Sequence, residues 1–72
     1  MMTKSELLRA AEIVRSSAGA RRTMEKVYRD LARKHPDALI YTEMADEFRG
    51  EEEGLELLAE KLEKEAAAGN DE

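Results

Sequence analysis

The stretch Leu31-Ala32-Arg33-Lys34-His35-Pro36-Asp37-Ala38-Leu39-Ile40 decides how this chain folds. The ring of Pro36 disfavours the α conformation for His35, so a helix arriving from the N-terminal side ends there. Proline is at the same time well suited to open a new helix, and Asp37 complements the dipole of that helix at its start. The chain therefore reverses at His35-Pro36 with a helix on each side. Charge points the same way. Residues 1–36 carry nine basic and four acidic groups, and residues 37–72 carry three basic and thirteen acidic ones, a split of +5 against −10 that favours the two halves lying side by side.

Upstream of the turn, Thr3 and Glu6 have the spacing of a capping box, and Met2 with Leu7 has that of a hydrophobic staple, so the first helix starts at Thr3. From there Ala10, Ile13, Ser17, Ala20, Met24, Val27 and Leu31 recur in steps of three and four, predicting one helix over about 3–34 despite Gly19. Downstream, Tyr41, Met44, Phe48, Glu51, Leu55, Leu58 and Leu62 repeat the pattern, predicting a second helix over about 36–67 that runs through Gly50 and Gly54. Antiparallel neighbours then have residue numbers totalling about 71, which places Val27 by Met44 and Ile13 by Leu58. The fold class is all-α: an antiparallel helical hairpin of two long helices.

Seventy-two residues make one small domain, here 1–68, with 69–72 expected as a frayed C-terminal tail. At roughly 1.5 kcal/mol of conformational entropy per ordered residue, a core this small needs extra burial, most simply from dimerisation into a four-helix bundle. The chain has no cysteine, so neither a disulfide nor a thiolate–metal site can staple it. It is too apolar, at 42%, for a disordered acidic tail. No apolar run is long enough to cross a bilayer, and no secretory h-region precedes the first helix, so a cytoplasmic protein that does not enter membranes is expected.

Three surfaces are candidates for binding. Opposite the first seam, Arg15, Arg22, Lys26, Arg29 and Arg33 form a basic face about 27 Å long at about 1.5 Å per residue. On the second helix, Asp46, Glu53, Glu56 and Glu60 form an acidic face with Glu52 and Glu63 at its shoulders. Off the seams, Leu7, Val14, Ala18 and Tyr28 of the first helix and Leu39, Gly50, Gly54 and Leu57 of the second make an apolar patch for a dimer mate or another partner. Glu51 lies on the apolar seam and needs a partner there; Ser17 or Arg21 is in range.

Residues 28–62, from Tyr28-Arg29-Asp30-Leu31-Ala32 through Glu51-Glu52-Glu53-Gly54-Leu55-Glu56-Leu57-Leu58, resemble a ferritin or rubrerythrin helix pair, a family whose four-helix bundle binds two irons through Glu-x-x-His pairs. Glu51-x-x-Gly54 puts glycine at the histidine position, and His35, the sole histidine, sits in the turn, so the resemblance carries no ligands over. A carboxylate-only site would have to use Glu43, Glu47 and Glu51. Ser16 and Ser17 have no triad partners, and no phosphate-cradling loop is present. No catalytic, metal or cofactor residues are expected.

The first expectation is thus a non-enzymatic protein–protein interaction module, a dimeric inhibitor or adaptor that sequesters a regulatory or nucleic-acid- or nucleotide-binding protein, by analogy with small bacterial and phage inhibitors. The alternative is a ferritin-like half bundle holding metal on helix carboxylates. Direct nucleic-acid binding through the basic face ranks third, since the net charge is −5.

Overall fold

The computed structural model describes residues 2–69, and among them the chain forms two α-helices, α1 (Lys4–Lys34) and α2 (Ala38–Gly69), packed as an antiparallel hairpin. The result is a rod of 56 × 14 × 13 Å. Gly69, expected in the tail, is the last residue of α2; the fraying expected at 70–72 lies outside the described residues.

The start of α1 is the one its sequence predicts. The backbone N–H of Glu6 donates to Thr3 Oγ1 at 3.1 Å, and the N–H of Thr3 donates to Glu6 Oε1 at 2.9 Å, closing the capping box. Arg33 and Lys34 occupy the last turn, where cations oppose the helix dipole. His35 is extended at φ −119° and ψ 145°, as a residue before proline should be. The second helix, however, begins at Ala38 and not at Pro36. Helix axes pack about 8–10 Å apart, and one extended residue spans at most about 3.6 Å, so His35, Pro36 and Asp37 are all needed for the crossing. The Asp37 carbonyl then accepts from Ile40 N–H at 3.1 Å and Tyr41 N–H at 3.4 Å, opening α2. Both helices run unbroken through Gly19, Gly50 and Gly54, and nothing lies within 4 Å of where a Cβ would stand on any of the three.

The helices meet along a different stripe from the expected one. In α1 the side chains turned inward are Leu7, Ala11, Val14, Ala18, Glu25, Tyr28 and Ala32, with Arg21 in the same stripe but its side chain 41% exposed; from Ala11 on, each position is one residue beyond a member of the predicted seam. One residue is about 100° of helix rotation. In α2 the inward set is Ala38, Tyr41, Ala45, Phe48, Glu52, Leu55, Ala59, Leu62 and Ala66, so Tyr41, Phe48, Leu55 and Leu62 hold while Met44, Glu51 and Leu58 move to the flank. Both sets step in alternating fours and threes, a heptad pattern. The fully enclosed residues are nearly all alanines: Ala11, Ala18, Ala45, Ala59 and Ala66 are at most 1% exposed. Small side chains let the backbones approach, and so the stripe of larger residues lost the competition for the inside. The register lies at or slightly above the expected one, since cross-helix pairs total 72 for Arg21 and Glu51, 74 for Arg22 and Glu52, 75 for Arg29 and Asp46 and 78 for Arg15 and Glu63. At the turn end Tyr28 stacks on Tyr41 and Phe48 with centroids 5.9 and 5.6 Å away, and His35 meets Tyr41 edge-on at 5.2 Å.

Candidate interaction surfaces

Rotation of α1 brings the basic row beside the interhelical contact and changes what that row does. Arg15, Arg22 and Arg29 are seven residues apart, so they recur at one heptad position next to the seam. Arg15 makes a two-point contact with Glu63, at 2.9 Å from Nε and 2.7 Å from Nη2. Arg22 bridges Glu52 at 2.6 Å and Glu56 at 2.7 Å. Arg29 bridges Glu25 at 2.8 Å and Asp46 at 2.9 Å. Hydrogen bonds donated to these carboxylates hold all three guanidinium groups more firmly protonated than usual, and the hydrogen bond from Arg15 holds Glu63 below the ordinary carboxylate range. Glu25 and Glu52 stand at the seam position otherwise filled by alanine. Their side chains are only 16% and 13% exposed, and each is met by an arginine from the flank.

The expected basic and acidic faces are therefore largely one surface, neutralised within the hairpin. Of the basic set, Arg33 pairs with Asp30 at 2.8 Å, and Lys26 makes no ion pair among the described residues. Asp30 accepts from Lys34 as well, at 3.0 Å, and these two hydrogen bonds, that from Lys34 the stronger, lower its pKa. Of the acidic set, Asp46 and Glu56 are tied to α1, Glu53 meets Arg49 at 3.4 Å, and Glu60 makes no ion pair among the described residues. Exposed pairs of this kind contribute little individually, but their repetition every seven residues specifies the register.

The expected apolar patch divides. Leu7 and Ala18 are buried between the helices and Val14 and Tyr28 are half-buried there, which removes these four from any outer surface. Leu39 and Leu57 are exposed, at 72% and 66%, and Gly50 and Gly54 are exposed beneath open space. In exchange, the stripe predicted to be internal faces outward. Ile13 is 54% exposed, Met24 37%, Val27 46%, Ile40 56% and Leu58 43%. Heptad geometry puts these five on one long face: Met24 lies in the row just before the α1 seam, Leu58 in the row just before the α2 seam, and Ile13, Val27 and Ile40 one step further around on the same side. Arg15, Arg22 and Arg29 follow the seam on the opposite side.

In the middle of this apolar face lies one ion pair. Arg21 Nε donates to Glu51 Oε1 at 3.1 Å, the partnership that the position of Glu51 on an apolar stripe requires. Both side chains are about half exposed. Among the described residues no three His, Cys, Asp or Glu side chains are grouped as a metal site requires, and no helix is long and apolar enough to cross a membrane. The surface depressions beside Ile13 and beside Leu57 are each lined by one helix alone. No protein-family model matches the chain, and no curated protein or solved structure matches it either.

The sequence reading assigns Ala18 to an outer patch and does not read the alanine rows 11, 18, 32 and 38, 45, 59, 66 as an inner seam. Their spacing in multiples of seven, with arginines at 15, 22 and 29 in step, is the signal that identifies the inner seam.

Proposed function

We propose that this chain is a non-enzymatic protein–protein interaction module that holds another polypeptide by helix packing on the face formed by Ile13, Met24, Val27, Ile40 and Leu58. One observation carries the reading. Five large apolar side chains, each more than a third exposed, lie on a single side of a rod only 14 Å wide. Of the nine exposed large apolar side chains among the described residues these five share one side, and apolar residues gathered in that way point to a docking surface where ones scattered singly do not. A module of this design works as an adaptor or inhibitor, by occupying a partner's surface. Capture of a nucleic-acid- or nucleotide-binding protein through the acidic face, and direct nucleic-acid binding through the basic one, have less support, because Arg15, Arg22 and Arg29 already hold the carboxylates that such partners would have to displace.

A photo-reactive residue at Val27, introduced in the native cell, tests the reading. It is expected to give covalent adducts with polypeptide, a second copy included, while the same residue at Lys26 on the charged side gives none. Equal adducts from both positions, or none from either, would remove the basis for assigning this face.

A further inference from the structure

We infer that the occupant of the apolar face is a second copy of this chain, running in the same direction as the first, so that Arg21 and Glu51 of the two copies close a four-membered ring of alternating charge at the centre of a four-helix bundle. This rests on the reading that the face is a binding surface, and it adds which partner the face fits.

Three features converge on a second copy. The first is size: the long face of a rod 56 Å by 14 Å presents roughly 800 Å², which is about what each partner contributes to a stable interface, so the whole face is used and nothing needs to be left over. The second is the weakness of the inner seam. No large side chain is fully buried among the described residues, and the enclosed ones other than Leu7 are alanines, so the apolar burial that should offset chain entropy is still waiting on the outer face. A partner needed for folding has to be present whenever the chain is, and another copy always is.

The third is charge. A face-to-face pair of rods has two possible two-fold axes. An axis across the rod sets α1 on α1 and α2 on α2, and because the 3.1 Å Arg21–Glu51 pair lies near mid-rod, it brings arginine beside arginine and glutamate beside glutamate. An axis along the rod sets α1 of each copy on α2 of the other. Arg21 then lies over Glu51 of the second copy and Glu51 over its Arg21, so the ion pair at the centre of the face becomes its own complement, while Glu6, Lys34, Glu47, Lys61 and Glu65 of the same rows lie away from that centre. The second arrangement is the one inferred, with both turns at one end and both pairs of termini at the other.

Sedimentation equilibrium of the full chain, with charge-reversal variants, tests this. The wild type is expected at about twice 8.1 kDa. Arg21→Glu puts four carboxylates in the ring and Glu51→Arg puts four guanidinium groups there, so each variant alone should raise the dimer dissociation constant about 10-fold or more. Mixing the two in equal amounts sets the two carboxylates of one copy against the two guanidinium groups of the other and should bring back the dimer as a heterodimer, which a role confined to one chain could not produce. A wild type that stays at 8.1 kDa, or variants whose mixture associates no better than each alone, overturns the inference. Should the chain stay monomeric while the Val27 photo-adducts still form with other polypeptides, the second copy is wrong and the interaction face stands; with no adducts both fall. Direction is read from spin labels at Lys34→Cys: a separation of about 20 Å, two helix diameters, supports the shared direction, and one near the 56 Å rod length contradicts it.

Discussion

Replacing Ala18 by leucine should unfold this hairpin far more readily than the same replacement at Ala20, two residues away. Ala18 is 1% exposed between the helices, and Ala20 is exposed on the outer surface of the same helix. Three extra carbons at Ala18 have no space to enter, so the helices must part or the side chain must leave its rotamer, at a cost of about 1–3 kcal/mol. A core of this size supplies only about 3–5 kcal/mol in total, so the loss is a fifth of it or more. With a shift of about 4–8 °C per kcal/mol in a domain of this length, the melting temperature of Ala18→Leu should fall by roughly 5–20 °C. Ala20→Leu changes helix propensity by only about 0.2 kcal/mol, and in the outer row of Ile13 and Val27 the larger side chain is not forced between the two helices of the hairpin, so the melt should not fall comparably. Thermal unfolding followed by circular dichroism at 222 nm, at one fixed protein concentration, compares them. Equal effects at both sites, or a larger one at Ala20, would refute the alanine seam and restore the stripe through Ile13, Ser17 and Ala20 as the inner one.

Acid should act on the Arg15–Glu63 contact in a defined window. The folded-state pKa of Glu63 is depressed, chiefly by the hydrogen bond from Arg15, so the stability this pair contributes is present above the ordinary value of 4.5 and is lost as pH falls through the lower folded value. Carboxyl-carbon NMR titration should find Glu63 below 4.5 in the wild type and returning toward it in Arg15→Gln; an unchanged midpoint in the variant would show that the contact does not form in solution. Gly50→Ala should stabilise the hairpin by about 1 kcal/mol, since the helix is continuous there and nothing lies within 4 Å of the new Cβ. A lower urea midpoint for that variant would mean that α2 is broken at Gly50.

What the sequence makes legible is local, and what it leaves open is rotational. The Thr3–Glu6 box, the extended His35, the passage of both helices through their glycines and the pairing of Glu51, for which Ser17 and Arg21 are the two candidates and Arg21 the one found, follow from residues within a few positions of one another or from a single misplaced charge. The choice of inner face does not. In α1 two adjacent stripes, Leu7-Ala11-Val14-Ala18 and Ala10-Ile13-Ser17-Ala20, are both apolar at helical spacing, and side-chain size favours the second. An antiparallel pair that packs on alanine selects the first, because close backbone approach and flanking arginine–carboxylate pairs outweigh the burial that Ile13, Met24 and Val27 would gain inside. The larger stripe is then left outside, and that displacement is why the hairpin carries a core-like face toward solvent. The turn was misjudged for a related reason: its length depends on the separation of the helices, which no local residue encodes.

The surface claim is open to one direct measurement. A soluble paramagnetic agent added to the methyl-labelled intact protein broadens the resonances of methyl groups that solvent can reach. If the face through Ile13, Ile40 and Leu58 is occupied, these methyls should stay sharp while those of Leu39, 72% exposed on the far side of α2, broaden strongly. Broadening of all four to a similar degree would show the apolar face bare in solution and would contradict its assignment as a docking surface.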